Sequence, residues 1–171
     1  MLSNDRRGRG RHRDEHVRTK VFVDGEGTQE PTTIAMETVT VTRSIEASSD
    51  EIRDALDDLE PFMRASGFDE VEIDGDRLEI SKALGLLRIS LTLRVSEDEQ
   101  AALAYEQIDG VFDSMTTTYE LTERDGTTAV TARTEFALDA PGGSILDATV
   151  VQRQRRKELQ AQLDYLEDRV E

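Results

Sequence analysis

Alternating apolar and polar residues along most of the chain predict β-strands. In residues 38–45, Val39, Val41 and Ile45 alternate with threonine and serine, the period of two that is typical of a half-buried strand. Six further segments have strand-like patterns, and Asp-Gly pairs typical of tight turns separate several of them. The seven segments are 38–45, 68–73, 77–83, 86–95, 101–108, 112–122 and 128–138. Because short links join the last six, we expect an antiparallel sheet.

Helical patterns follow the first strand. Residues 48–60 open with Ser48 and Glu51, which have the spacing of a capping box, and their apolar residues recur at intervals of three and four. We expect Pro61 to end this helix. A shorter helical turn then stops at Gly67, which suits a left-handed cap. The sequence therefore predicts two short helices after the first strand.

The end of the chain predicts one long helix. Residues 144–170 contain neither glycine nor proline, and the Pro-Gly-Gly of residues 141–143 precedes them as a hinge. At about 1.5 Å per residue the helix would be roughly 40 Å long. Leu159, Leu163 and Leu166 fall within a narrow arc on it. Such a stripe needs a curved apolar partner, so we expect an α+β fold in which a curved, seven-stranded antiparallel sheet wraps around the long C-terminal helix.

Composition argues against several classes of enzyme. The chain has no cysteine, and both histidines, His12 and His16, lie in the first 20 residues. The predicted domain therefore lacks the residues for a Ser/His/Asp triad, a zinc hydrolase or His-ligated iron. It also lacks a glycine-rich phosphate loop. We accordingly expect no metal and no cofactor, and we assign no catalytic residues.

The net charge of −16 limits the partners that the folded domain can have. A strongly acidic surface repels nucleic acid and anionic membranes. With only three lysines it is typical of proteins from extreme halophiles, including haloarchaea, although an ordinary acidic protein is the alternative. No apolar run reaches the length of a membrane span, and no signal peptide is evident. We expect a cytoplasmic protein without membrane insertion and without nucleic-acid binding through the folded domain.

One basic cluster stands out within the acidic domain, on the predicted last helix. It consists of Arg153, Arg155, Arg156 and Lys157. We interpret the cluster as a solvated belt that pairs with neighbouring carboxylates. A ligand-facing role for Arg153 or Arg156 is the alternative.

Residues 1–35 differ in composition from the rest of the chain. Residues 6–13 are rich in arginine and glycine, a composition that could bind RNA. The alternatives are a plain disordered tail or a start codon placed too far upstream, because Met36 opens directly onto the first strand. We expect residues 36–171 to form the complete domain.

Several segments resemble a known superfamily. A strand, two short helices, six strands and a long helix is the order of the helix-grip fold, and residues 38–47 (TVTVTRSIEA) resemble the opening of SRPBCC proteins. This superfamily comprises START-like, polyketide cyclase/dehydrase and lipid-transport proteins. Residues 60–68, 104–107 and 146–150 are similar to a haloarchaeal branch of it. The resemblance covers residues 36–171 and implies a cavity between the sheet and the last helix, which other members use for lipids, polyketides, sterols, quinones or aromatic hormones.

The positions predicted to face inward are the candidates for the lining of that cavity. Polar residues in phase with apolar neighbours are the more informative ones, because a polar group that faces an apolar interior needs a partner. Arg43 could hold a ligand carboxylate or phosphate, or could pair with an acidic side chain. For each candidate alone, core packing is the alternative. The candidate ligand-cavity residues are Arg43, Phe62, Met63, Leu91, Leu93, Tyr105, Gln107, Met115, Thr117, Tyr119, Thr134, Phe136, Leu146 and Val150.

The expected function is binding or transport of a small hydrophobic ligand, such as a lipid, an isoprenoid or a quinone. One alternative is a polyketide cyclase or dehydratase-like enzyme that uses Tyr105 or Tyr119 with Arg43. Another is a protein-interaction module with a vestigial cavity, whose partner would be a protein. A pocket of several hundred cubic ångströms favours the first two functions, and an interior filled by side chains favours the third.

The start of the translated chain can be tested directly. Met36 as the true start predicts that mass spectrometry of the protein from its own host finds no peptide that precedes residue 36. A peptide that contains Arg18 would show that the upstream residues are translated, and this start would then be wrong.

Overall fold

The computed structural model describes residues 18–19, 33–138 and 147–171. The backbone of Arg18–Thr19 pairs antiparallel with that of Thr33–Ile34, and these two short strands are separate from the main sheet. Most of the predicted N-terminal segment lies outside the described residues. The predicted domain boundary at residue 36 therefore stays a prediction.

Seven strands form one antiparallel sheet, as the alternation predicts. They are β1 (Met36–Ile45), β2 (Glu70–Asp74), β3 (Arg77–Leu84), β4 (Leu87–Ser96), β5 (Leu103–Asp109), β6 (Ser114–Arg124) and β7 (Thr127–Ala137). Their order across the sheet is β1-β7-β6-β5-β4-β3-β2, so β1 and β2 are the two edges. The register between β4 and β5 shifts between Thr92 and Leu93, which marks a β-bulge.

Two short helices connect the edge strands, α1 (Ser49–Asp57) and α2 (Leu59–Ala65). The predicted capping box is confirmed, because the Ser48 hydroxyl accepts the Glu51 N–H and the Glu51 carboxylate accepts the Ser48 N–H. Gly67 follows α2 with a positive φ of 91°, as the predicted left-handed cap requires.

The expected break at Pro61 is wrong. The first helix ends at Asp57, and Asp58 leaves the helical conformation with ψ of 73°. Pro61 lies in the first turn of α2, where a backbone N–H would have no partner within the helix. Proline is therefore compatible with the start of a helix at this point, and it does not end one.

The long helix begins later than predicted. It is α3 (Ala148–Val170), whereas the absence of glycine and proline suggested a start at Ser144. Asp147 is extended, with ψ of 134°, and its carboxylate accepts the N–H groups of Thr149 at 2.8 Å and Val150 at 3.4 Å. An aspartate that caps the first turn fixes the start of a helix more directly than helix-compatible composition does.

Helix α3 lies on the concave face of the sheet and contacts β1, β7, α1 and α2. Leu159, Leu163 and Leu166 are fully buried, and burial of each such side chain contributes roughly 1.5–3 kcal/mol. From the sheet, the core receives side chains such as Leu78, Leu93, Val130 and Phe136. The predicted helix-grip architecture is thereby confirmed.

We expect Asp147→Ala to lower the free energy of unfolding by about 1 kcal/mol, because two N–H groups of α3 lose their acceptor. Urea unfolding followed by circular dichroism measures the change. Asp168→Ala is the matched control, since it removes an exposed carboxylate from the other end of the same helix. Equal losses of stability in the two variants would contradict the capping role.

Candidate functional site

A pocket opens between the sheet and the first half of α3. Strands β3 and β4, the loop after β5, and α3 supply its walls. Its apolar lining residues are Phe68, Leu84, Ile89, Leu91, Val111, Phe112, Val150 and Val151. The cavity has a volume of about 60 Å³ and is open to solvent. The pocket is therefore small, and most of its lining residues are apolar.

The loop after β5 is held against this pocket by Gln107. The Gln107 side chain donates to the Phe112 carbonyl at 2.8 Å and accepts the Phe112 N–H at 3.3 Å. Between them, Gly110 has a φ of 153°, and a Cβ at this position would lie 2.6 Å from Cδ2 of Leu91. A glycine is thus required for the loop to approach the wall of the pocket so closely.

Three charged side chains form a buried cluster in the wall of the pocket. Lys82, Arg155 and Glu158 line the pocket, and each is no more than 5% exposed. The Lys82 ammonium and the Arg155 guanidinium both form ion pairs with the Glu158 carboxylate. Lys82 Nζ also lies 4.8 Å from the centre of the Phe68 ring. Because two cations share one carboxylate, this Lys82–Arg155–Glu158 cluster has an excess of positive charge.

Arg155 joins the cluster to strands β6 and β7 of the sheet. Its Nη2 donates to the hydroxyl of Thr134 at 3.0 Å and lies 3.4 Å from that of Thr117, and the two hydroxyls are 2.9 Å apart. Nε of Arg155 is buried and makes no hydrogen bond within the described part of the chain. A buried donor left without a partner costs about 1–3 kcal/mol. Among the described residues, Nε of Arg155 is the only buried side-chain nitrogen or oxygen without a hydrogen-bond partner.

The environment of Lys82 alters its acidity. Burial, together with the positive charge of Arg155, lowers the pKa of Lys82 to about 8, and the Asp69 carboxylate opposes both effects. The ammonium is therefore easier to deprotonate than that of an exposed lysine, whose ordinary pKa is 10.5.

A second polar network fills the centre of the core. The hydroxyl of Tyr119 donates to Oε1 of Gln162 and lies 3.4 Å from the hydroxyl of Tyr105. Nε2 of Gln162 lies 3.7 Å from the sulfur of Met63. Burial, together with the neighbouring Tyr105, raises the pKa of Tyr119 well above its ordinary value. The Tyr119 hydroxyl is thus held protonated, as a hydrogen-bond donor.

The structure separates the candidate cavity residues into groups. Leu91 and Val150 line the pocket, Gln107 holds its loop, and Leu146 lies outside the described residues. Nine others have at most 2% exposure and do not line this pocket. They are Phe62, Met63, Leu93, Tyr105, Met115, Thr117, Tyr119, Thr134 and Phe136. The inward face was thus identified, but most of these residues pack in the core.

Aromatic contacts show why these positions form core. The rings of Phe62 and Tyr119 meet edge to face with centroids 5.2 Å apart, and those of Phe112 and Phe136 lie 5.4 Å apart. Large side chains from opposite elements therefore fill the space that a cavity would need at this level of the sheet.

Arg43 lies away from the pocket. Its guanidinium forms ion pairs with Asp164 and, at 2.9 Å, with Glu167, both near the C-terminal end of α3. Burial opposes the charge of Arg43, but these two carboxylates raise its pKa above the ordinary value. The sequence left two roles open for Arg43, namely binding of a ligand anion and pairing with an acidic side chain. The geometry supports the second.

The interpretation of the basic cluster on α3 needs a correction. Arg153, Arg156 and Lys157 are exposed, but Arg155 is 5% exposed and faces the sheet. It precedes Leu159 by four residues, so it lies on the apolar stripe of the helix. Arg153 and Arg156, the residues considered for a ligand-facing role, do not line the pocket.

Lys82, Glu158 and Gln162 were missed as well. Lys82 is in phase with the buried residues Leu78 and Ile80 on β3. Glu158 and Gln162 continue the helical stripe at intervals of three and four. The spacing of these three residues places them with the buried positions. Charged and polar side chains are so often exposed, however, that none of the three was predicted to be buried.

An antiparallel sheet closed over one long helix, with an apolar pocket between them, is the helix-grip architecture of START-like proteins. The model of the family described as polyketide cyclase/dehydrase and lipid transport matches residues 36–171, and this chain belongs to that family. The predicted family is thereby confirmed, whereas the haloarchaeal origin stays a prediction.

Solved structures share the fold at low sequence identity. TTHA0849 from Thermus thermophilus is 20% identical, with a TM-score of 0.65 and coverage of 78% of this chain and 97% of that one. The Zhui aromatase/cyclase from Streptomyces sp. R1128 is 21% identical, with a TM-score of 0.63 and coverage of 80% and 96%. A START superfamily protein from Mycobacterium smegmatis is 14% identical, with a TM-score of 0.63 and coverage of 78% and 96%. Comparison with curated proteins found no match.

Two further properties concern the described residues alone. No group of three or more His, Cys, Asp or Glu side chains is placed there to hold a metal ion. No described helix is both long and apolar enough to cross a membrane.

We expect Lys82→Met to remove part of the rise of stability with pH. Between pH of about 8 and about 10.5 the unfolded chain keeps a proton that folded Lys82 has released, so the free energy of unfolding rises with pH across this window. One such group contributes a slope of at most about 1.4 kcal/mol per pH unit. Urea unfolding at several pH values across this window measures the slope. Lys157→Met, which removes an exposed lysine, should keep the wild-type slope, and a Lys82→Met slope equal to that of wild type would contradict the lowered pKa.

Proposed function

We propose that this protein binds a small, largely apolar ligand in the pocket between the sheet and α3. The observation that carries the proposal is the apolar lining of the pocket and its continuation onto the surface. Leu86, Leu87, Val111 and Val150 are exposed in the elements that border the mouth, and Leu86 is fully exposed. Exposed apolar side chains grouped around an apolar opening are typical of binding sites.

The dimensions of the pocket indicate how such a ligand would lie. Ligand pockets commonly enclose roughly 300–1,000 Å³. At about 60 Å³ this pocket is too small to enclose a whole lipid, isoprenoid or quinone. We infer that one end of the ligand enters the pocket and that its body lies along the exposed apolar side chains at the mouth.

The geometry gives less support to a cyclase or dehydratase that uses the tyrosines with Arg43. The hydroxyls of Tyr105 and Tyr119 lie close together, and that of Tyr119 also bonds Gln162, whereas Arg43 pairs with carboxylates of α3. A tyrosine whose pKa is raised is a poor general base at neutral pH. Binding is therefore the better-supported function of this site.

A protein-interaction module is the second candidate. It is favoured by the packed interior, in which nine candidate cavity residues are core residues, and by the exposed leucines near the mouth. In this function the exposed apolar side chains at the mouth would contact a protein, and the pocket would be incidental. Ligand titration separates the two candidates, because only the first needs the pocket.

The test uses N-phenyl-naphthylamine, a neutral fluorophore that brightens in apolar surroundings. The chain has no tryptophan, so the background emission is small. We expect saturable binding to wild type and about ten-fold weaker binding to Val150→Asp, because this variant places a charge on the apolar wall. An aspartate in the first turn of α3 is compatible with the helix.

Ile73→Asp is the matched control for this experiment. Ile73 is also exposed and apolar, but it lies on the edge strand β2 and does not line the pocket. The Ile73→Asp variant should bind the fluorophore as tightly as wild type does. Absence of saturable binding to wild type, or equal loss in both variants, would contradict the proposed site and favour the second candidate.

A further inference from the structure

We propose that the pocket recognises a ligand with an anionic end, a carboxylate, and that this end points inward at Lys82 and Arg155 while the apolar body points to the mouth. The inference rests on the proposed function, because it assigns a direction to a ligand in the same pocket. Two observations carry it: the charge balance of the buried cluster and its supply of hydrogen-bond donors, one of which is unsatisfied.

The first observation is the charge balance. Lys82 and Arg155 carry two positive charges, and Glu158, the acidic residue among the pocket lining, carries one negative charge. The Asp69 carboxylate acts on Lys82 from an exposed position outside the lining, where water screens its charge. An uncompensated charge in an apolar environment is costly, so an arriving anion is stabilised by the positive charge that Glu158 leaves unbalanced.

The second observation is the supply of hydrogen-bond donors. Arg155 uses Nη1 for Glu158 and Nη2 for the two threonines, while its Nε has no partner in the described part of the chain. Lys82 carries three N–H donors on a side chain that lines the same pocket. Charge-assisted bonds from such groups to a carboxylate are roughly twice as strong as bonds between neutral groups.

The charge of the cluster also limits the kind of anion that it can bind. The excess of one positive charge matches a carboxylate, whereas a phosphate monoester carries about 1.5–2 negative charges at neutral pH. A carboxylate on an acyl chain and one on an aromatic ring satisfy these conditions equally.

The alternative is that the Lys82–Arg155–Glu158 cluster serves only to join α3 to the sheet. Without recognition of the anion, an apolar pocket favours an alcohol over the corresponding carboxylate, because an ionised group loses more hydration on entry. The order of binding within a matched pair of ligands therefore distinguishes recognition from simple joining.

The experiment measures displacement of N-phenyl-naphthylamine from the full-length protein at neutral pH. Decanoate is compared with decanol, and naphthoate with naphthalenemethanol, so that one pair carries an acyl chain and the other an aromatic ring. We expect the carboxylate of at least one pair to displace the fluorophore at an about ten-fold lower concentration than its alcohol. The pair with the larger ratio identifies the preferred body of the ligand.

Two variants then assign the effect to the cluster. In Glu158→Gln both cations lose their resident anion, so the preference for carboxylate over alcohol should increase about ten-fold, a gain that misfolding cannot produce. In Lys82→Met the preference should fall toward one. Lys157→Met removes an exposed lysine instead and should leave the preference unchanged.

The outcomes separate this inference from the proposed function. One outcome is that alcohols displace the fluorophore as well as carboxylates or better, and that Glu158→Gln does not change the preference for carboxylate over alcohol. The proposal of an anionic end is then wrong, although the binding of an apolar ligand stands. If the fluorophore does not bind to wild type at all, the proposed function fails and this inference fails with it.

Discussion

Burial of α3 within the concave face of the sheet is the constraint on which the rest of the structure depends. Leu159, Leu163 and Leu166 are fully buried, and a flat sheet would cover only one side of the stripe that they form. The sheet therefore curves, and α1 and α2, which connect its two edge strands along the chain, also contact α3. The capping box at Ser48 and the turn at Gly67 matter because they set the ends of these two helices.

The buried face of α3 changes its chemistry along the helix. Toward the C-terminus it is a leucine stripe, whereas toward the N-terminus the same face carries Arg155 and Glu158. Replacement of a buried ion cluster by apolar residues of similar size is often neutral or stabilising, so stability is a weak explanation for these charges. Arg155 and Glu158 line the pocket, whereas Leu159, Leu163 and Leu166 do not. The proposed recognition of a ligand therefore accounts for this placement better than the stability of the fold does.

The strands could be predicted because their signals are local, namely an alternation of period two and Asp-Gly turns. The cavity was harder to predict, because alternation shows which side chains face inward but not what fills the space opposite them. Tyr105 and Tyr119 are buried, but they meet side chains of other elements where a cavity was expected. Lys82 was missed for a different reason. It shares the inward face of Leu78 and Ile80, and only the tertiary partner on α3 explains how a lysine is accommodated there.

The position of the pocket follows from an irregularity of the sheet. The pairing of β4 with β5 shifts at Leu93, and beyond it the chain leaves the sheet in the loop that contains Gly110. Ile89 and Leu91 of β4 therefore face that loop and α3, which leaves the space that forms the pocket. The loop after β5 thus bounds the pocket, whereas Lys82 on β3 and the charges of α3 supply its polar groups. Because the shape and the charge of the pocket arise from different elements, substitutions at Lys82 or Arg155 can change its charge without changing the loop that bounds it.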